Sequence, residues 1–226
     1  NGFIYLGLPI GSDSFKEEFL ESKFKKNERS FYSLYNLGCR PYALSPLTIA
    51  FIYKQFCQSI FKYGLETLHL SKKKLKELNI RQNILIKRSI GISKFTKTKA
   101  LFQVLKIESI HQLYLKHKIF FFKQISKNRL TKDCYDTLDN YYKQMSRKPD
   151  TNSIFTQLNE VNKTIGCNFN GNLRNTIQLI EKVNFINNKG LVDSIFFIIK
   201  NHCVHKYGDM IKLLNGFNNY NNYNVT

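Results

Sequence analysis

"LSPLTIAFIYKQFCQSIFKYGLE", residues 44–66, is the stretch that most narrows what this chain can become. Ser45 followed by Pro46 reads as an N-cap and a first helical position, because the fixed φ of proline suits a helix start and its missing N–H is not needed there. From there to about Tyr63 the apolar side chains Ile49, Phe51, Ile52, Phe56, Ile60 and Phe61 fall almost all round the helix. A helix with no polar face has to be wrapped by others, so this segment is expected to be the buried member of a helical bundle.

The flanking segments supply the wrapping. From about Phe15 to Asn36, after the candidate caps Asp13 and Ser14, Phe15, Phe19, Phe24, Phe31 and Leu34 alternate with Lys23, Lys25, Lys26 and Arg29. Gly38 and Pro41 close that helix. Ser71 opens "SKKKLKELNIRQNILIKRSIG", in which Leu75, Leu78, Gln82, Leu85 and Ser89 keep helical spacing and Gly91 is the stop. Lys74, Arg81 and Arg88 are seven apart and line one stripe of it, with Lys73 and Lys87 beside them. Only Glu77 on that helix could pair with them, so the stripe is expected to face outward with few internal salt bridges. A Lys/Thr loop bearing Lys94, Lys97 and Lys99 leads into a short helix, and Ser109 opens a further one with Lys116, Lys123 and Lys127 as a second basic stripe.

Charge decides between classes of partner. The chain of 226 residues carries 35 Lys and Arg against 16 Asp and Glu, a net charge of +19, which favours a polyanion. Residues 1–130 hold 24 basic and 8 acidic side chains, whereas residues 131–226 hold 11 and 8, so the first half is the expected binding half. A lysine-rich compositional bias explains the abundance of lysine better than this asymmetry. The longest apolar runs, Ile119 to Phe122 and Ile195 to Ile199, are far too short to cross a bilayer, and no partner membrane is expected. Five cysteines without framework spacing suit reduced thiols, and with no secretory pattern the expected location is intracellular, nuclear or cytoplasmic.

The fold class that emerges is mainly α, a helical bundle preceded by a short β-strand or hairpin at "FIYLGLPIG", with a second, smaller helical region. The expected divisions are 1–12 for the strand, 13–108 for the bundle, 109–145 for connecting helices, 146–214 for a C-terminal helical region and 215–226 for a disordered Asn/Tyr-rich tail. Helical patterns within the C-terminal region fall at about 173–187 and 190–204, after breaks at 146–153 and 167–172.

In order and spacing, Tyr5-Leu6-Gly7, Leu44-Ser45-Pro46, Tyr63-Gly64 and Gln82 to Gly91 resemble the chain that follows the catalytic palm in non-LTR retrotransposon reverse transcriptases; the resemblance covers about residues 3–110. It implies a thumb-like bundle, with the opening strand belonging to the last palm hairpin near the primer end. Its sheet partners, in the palm and fingers, would lie outside this sequence, making the chain a fragment. Tyr5 would stand beside the primer strand or pack on the palm, and Gly7 would allow close backbone approach. The family's magnesium site needs paired aspartates, and no "DD" occurs here; Asp13 and the Asp133, Asp136, Asp139 series do not replace it. No catalytic residue, cofactor or metal is therefore expected in this fragment, although its parent would use Mg.

What remains is a grip on RNA template and DNA primer duplex through phosphates, which needs cations and no base-specific chemistry. The candidate residues are Lys74, Arg81, Lys87 and Arg88, then Lys23, Lys26 and Arg29, and Lys94, Lys97 and Lys99 in the loop. "HCVH" at 202–205 offers Cys203 no paired cysteine, so a buried thiol and surface histidines are the expected reading rather than zinc. "GLPIG" lacks the lysine of a P-loop. The phenylalanines are assigned to packing, and Tyr141, Tyr142, Tyr220 and Tyr223 stay open between packing and base stacking. The rival is a helical interaction module whose basic faces meet an acidic protein; a third possibility is the product of a decayed element.

Overall fold

The computed structural model describes residues 1–144, 153–165, 180 and 189–200. It opens with an antiparallel hairpin, β1 (Gly2–Tyr5) and β2 (Leu8–Gly11), in which Phe3 faces Ile10 and Tyr5 faces Leu8. Leu6 (φ +48°) and Gly7 (φ +77°) make the two-residue turn, both in the left-handed region that matches the right-handed strand twist. Leucine is strained there by about 1–2 kcal/mol. The Tyr63 hydroxyl donates to the Leu6 carbonyl at 2.5 Å and pins the turn to the bundle.

α1 (Asp13–Ser33) is capped by Ser12, one residue before the expected caps, whose Oγ accepts from the Phe15 N–H. Its buried residues Leu20, Phe24, Asn27 and Phe31 recur at three and four, the spacing of one helix face. A 3₁₀ turn (Leu34–Leu37) ends at Gly38, as the glycine predicts. The apolar segment then forms α2 (Pro46–Ile52), a π turn (Tyr53–Cys57) and α3 (Gln58–Lys62), with Ser45 as the cap. α4 (Lys72–Ile90) runs from the Ser71 cap to a left-handed Gly91. α5 (Lys99–Leu105), α6 (Ile110–Lys127), α7 (Arg129–Gln144), α8 (Ile154–Ile165) and α9 (Lys189–Lys200) follow. A reciprocal capping box, Ser109 with Gln112, starts α6.

The chain is thus mainly helical with a short N-terminal hairpin. Its largest core gathers Phe31, Ile49, Tyr53, Leu85, Ile86 and Leu101, and α9 adds Leu191, Ile195, Ile198 and Ile199 to it. A second core holds Leu20, Phe24, Phe61, Leu78 and Leu113. A third joins Leu115 and Ile119 of α6 to Val161 of α8 and Ile180. Between them, Gln82 of α4 accepts from the Ile110 N–H at 3.1 Å and, with Gln58, donates to the Glu108 carbonyl, so the buried start of α6 is hydrogen-bonded.

One expectation is overturned. The apolar segment is not buried all round: Phe51 is 60% and Phe56 61% exposed. Phe56 lies in the π turn, whose wider winding departs from the 3.6-residue period of an α-helix. Tyr53 and Cys57 are the buried residues of that turn. No described helix is long and apolar enough to cross a membrane. The expected disordered tail, the 202–205 histidines and cysteine, Tyr220 and Tyr223, and most of the breaks at 146–153 and 167–172 and of the helix at 173–187 lie outside the described residues.

Candidate nucleic-acid interface

The cation stripe of α4 divides along its length. Its middle faces α1, where Glu21 and Glu28 are also seven apart. Arg81 donates two hydrogen bonds to the Glu21 carboxylate, at 2.7 and 2.9 Å, and its other amino group lies 3.6 Å from Glu28. Its guanidinium also stacks 3.9 Å above the Phe24 ring. Lys74 lies 3.1 Å from Glu77 and 3.9 Å from Glu21. The Arg81 hydrogen bond, with help from the charges of Arg81 and Lys74, holds the Glu21 carboxyl below its ordinary value against the opposing effect of burial. Glu21, Glu28, Lys74, Glu77 and Arg81 form a seam of charges where α1 and α4 meet.

That seam corrects the outward-facing stripe: Lys74 and Arg81 are matched by internal acids. Two further candidates also turn inward. Lys87 is 6% exposed and its amine donates to the Lys94 carbonyl at 2.8 Å, burial pushing its pKa down. Lys23 donates to the Tyr63 carbonyl and sits 5.0 and 5.1 Å from the Phe19 and Tyr63 ring centres; burial likewise lowers its pKa. Lys97 is half-buried and has partners within the fold. Gly7 is explained by its turn, where the Tyr63 ring lies 3.0 Å from the position a Cβ would take. It faces that ring and the bundle.

Lys26 and Arg29 on α1, Arg88 in the last turn of α4, Lys94 and Lys99 are exposed. Among the described residues no acid lies within ion-pair distance of any of them. Tyr5 is exposed, along with the rest of β1. Sequence reasoning passed over exposed Arg40 and over exposed Tyr42 beside Gly91, and assigned Phe95 to packing although it is 81% exposed. A signal for this end of the bundle was present. No Asp or Glu occurs from residue 29 to 65 or from 78 to 107, stretches that carry 11 Lys and Arg.

Elsewhere the polar groups are structural. Lys116 pairs with Glu108 at 2.7 Å. Asp133 and Asp136 are exposed on α7, and Asp139 pairs with Lys143 there. Tyr142 packs on Phe155 of α8, whereas Tyr141 is exposed. Cys39 and Cys57 are buried, and burial raises both thiol pKa values, that of Cys57 to about 11. They are poor nucleophiles at neutral pH. Among the described residues no group of His, Cys, Asp and Glu could hold a metal ion. No family model, no curated protein and no solved structure matches this chain.

Proposed function

We propose that this chain is the thumb and following helices of a retroelement RNA-directed DNA polymerase and that it grips template–primer duplex through the phosphates. The hairpin carries the reading. All four residues of β1 are exposed, three of them large and apolar, and the strand pairs only with β2 among the described residues. A two-stranded hairpin is marginal alone, and an apolar edge of this kind invites further strands. Polypeptide outside residues 1–226 would supply them, together with the carboxylates and the magnesium that polymerisation requires. Tyr5 is the residue we assign to the primer side, its alternative being contact with that larger sheet.

The grip is assigned to Lys26, Arg29, Arg88, Lys94 and Lys99, helped by exposed Lys25, Lys72, Lys73 and Lys76. Binding of an RNA/DNA hybrid followed by anisotropy should fall about 10³-fold between 50 and 200 mM salt if six phosphates are contacted. Lys26→Glu with Arg29→Glu should reduce the log–log salt slope by about two, uniformly across sequences. Affinity indifferent to salt would overturn the reading.

Exposed Phe51 and Phe56 favour a second reading, an interaction module for an acidic protein. Under it, Phe51→Ser would abolish capture of the partner and the hybrid would bind weakly at every salt concentration.

A further inference from the structure

Two aromatic side chains are exposed at the C-terminal end of α4. Phe95 is 81% exposed and Tyr42 63%. Tyr42 has φ +64°, a left-handed conformation in which a bulky residue is strained, and such strain persists only where the surroundings enforce it. Here the enforcing surface is Gly91: its Cβ position lies 3.0 Å from the Tyr42 ring and 3.1 Å from Pro41, so any side chain there would displace both. The hydrogen bond from Lys87 to the Lys94 carbonyl folds the 92–98 loop back on the same helix end. Phe95 and Tyr42 therefore both belong to the C-terminal end of α4.

One cation lies over a ring, and two more belong to the segments that form this end of the bundle. Lys94 lies 5.0 Å from the Phe95 ring centre, Arg88 is close enough to act on the Tyr35 hydroxyl beside Tyr32, and Arg40 precedes Pro41. The two chain segments that build this end contain no acid at all. Exposed rings among unpaired cations suit a ligand that offers flat π-faces and negative charge in alternation, which an unpaired nucleic-acid strand does and a duplex does not.

We propose that this end of the bundle binds a single strand of RNA or DNA, its bases stacked on Phe95 and Tyr42 and its phosphates held by Arg40, Arg88 and Lys94. The proposal rests on the nucleic-acid reading above but not on a polymerase parent; it shares Arg88 and Lys94 with the duplex grip and adds base stacking on Phe95 and Tyr42.

The test is anisotropy of labelled oligothymidylate of about 15 nucleotides, beside the RNA/DNA hybrid, with the full chain. Phe95→Ala should weaken the single strand about tenfold, since stacking on one ring contributes about 1–3 kcal/mol per base, and leave the hybrid unchanged. Phe95→Trp should keep the single-strand affinity, and unchanged melting of both variants would place the effect in binding rather than folding. An oligothymidylate affinity indifferent to Phe95→Ala, an equal loss on both ligands, or no single-strand binding by the wild type overturns the proposal. Failure of the single strand with salt-sensitive hybrid binding intact would leave the duplex grip standing; failure of both ligands would remove both.

Discussion

Lys74 in the first turn of α4 and Arg81 at its middle have the same chemistry as Arg88 in its last turn and Lys94 in the loop beyond, yet their surroundings are opposite. The first two are clamped by Glu21, Glu28 and Glu77. The second two meet no acid among the described residues. A stripe of cations is therefore not a surface until the facing helix is known. Coulomb attraction at 3 Å consumes the charge of Arg81, whereas an unpaired guanidinium keeps its field for a ligand.

The comparison is sharpest at its buried extreme. Lys118, 2% exposed, donates to the Glu66 carbonyl at 2.6 Å and to Gln157 of α8. Burial pushes its pKa down to about 8, with the Glu66 charge opposing the shift. Between that value and about 10.4 the unfolded chain holds a proton that the folded chain lacks, so this lysine's contribution to stability rises with pH. Urea melts of wild type and Lys118→Met should show the difference moving in favour of wild type by roughly 2 kcal/mol from pH 7 to pH 10. Taking the difference removes the opposite effects of Cys57 and Tyr114, whose raised pKa values cost stability above about pH 9. A pH-independent difference would show that the amine is not desolvated.

Next in size is the pair Arg81→Glu and Arg88→Glu. The first sets a fourth carboxylate among three and should destabilise the fold by about 2 kcal/mol; the second should stay within about 0.5 kcal/mol while weakening nucleic-acid binding. Equal thermal shifts would erase the distinction between seam and surface. Smallest is Glu21→Gln. The Glu21 carboxyl has a lowered pKa in the fold, so its contribution is present above the ordinary carboxylate value and is lost as pH falls through the folded one. It is partly exposed and should contribute only about 0.5 kcal/mol at pH 7. Thermal melts of wild type and Glu21→Gln should converge at acid pH, once the lowered Glu21 carboxyl is protonated in the fold.

Much of the fold was legible because its signals are local. Ser45, Ser71 and Ser109 cap the helices they precede, and Gly38 and Gly91 end those before them, because each satisfies backbone groups within four residues. The π turn was not legible, and apolar side chains almost all round the segment point to a buried helix that would include Phe51 and Phe56. The seam was half legible. Its cations show a seven-residue spacing, and Glu21 and Glu28 show the same spacing some sixty residues earlier, but nothing local says that the two sets of side chains meet.

Sequence by itself determined where helices start and stop, which of their faces are apolar, and that the first half of the chain carries an uncompensated positive charge. These follow from backbone hydrogen bonding and from composition, which need no knowledge of distant neighbours. Only the tertiary structure decided which cations are available, placing Lys23, Lys74, Arg81 and Lys87 against internal partners and leaving Lys26, Arg29, Arg88, Lys94 and Lys99 in water. Ion pairs and desolvation act over a few ångströms of space, and packing, not chain order, sets those distances.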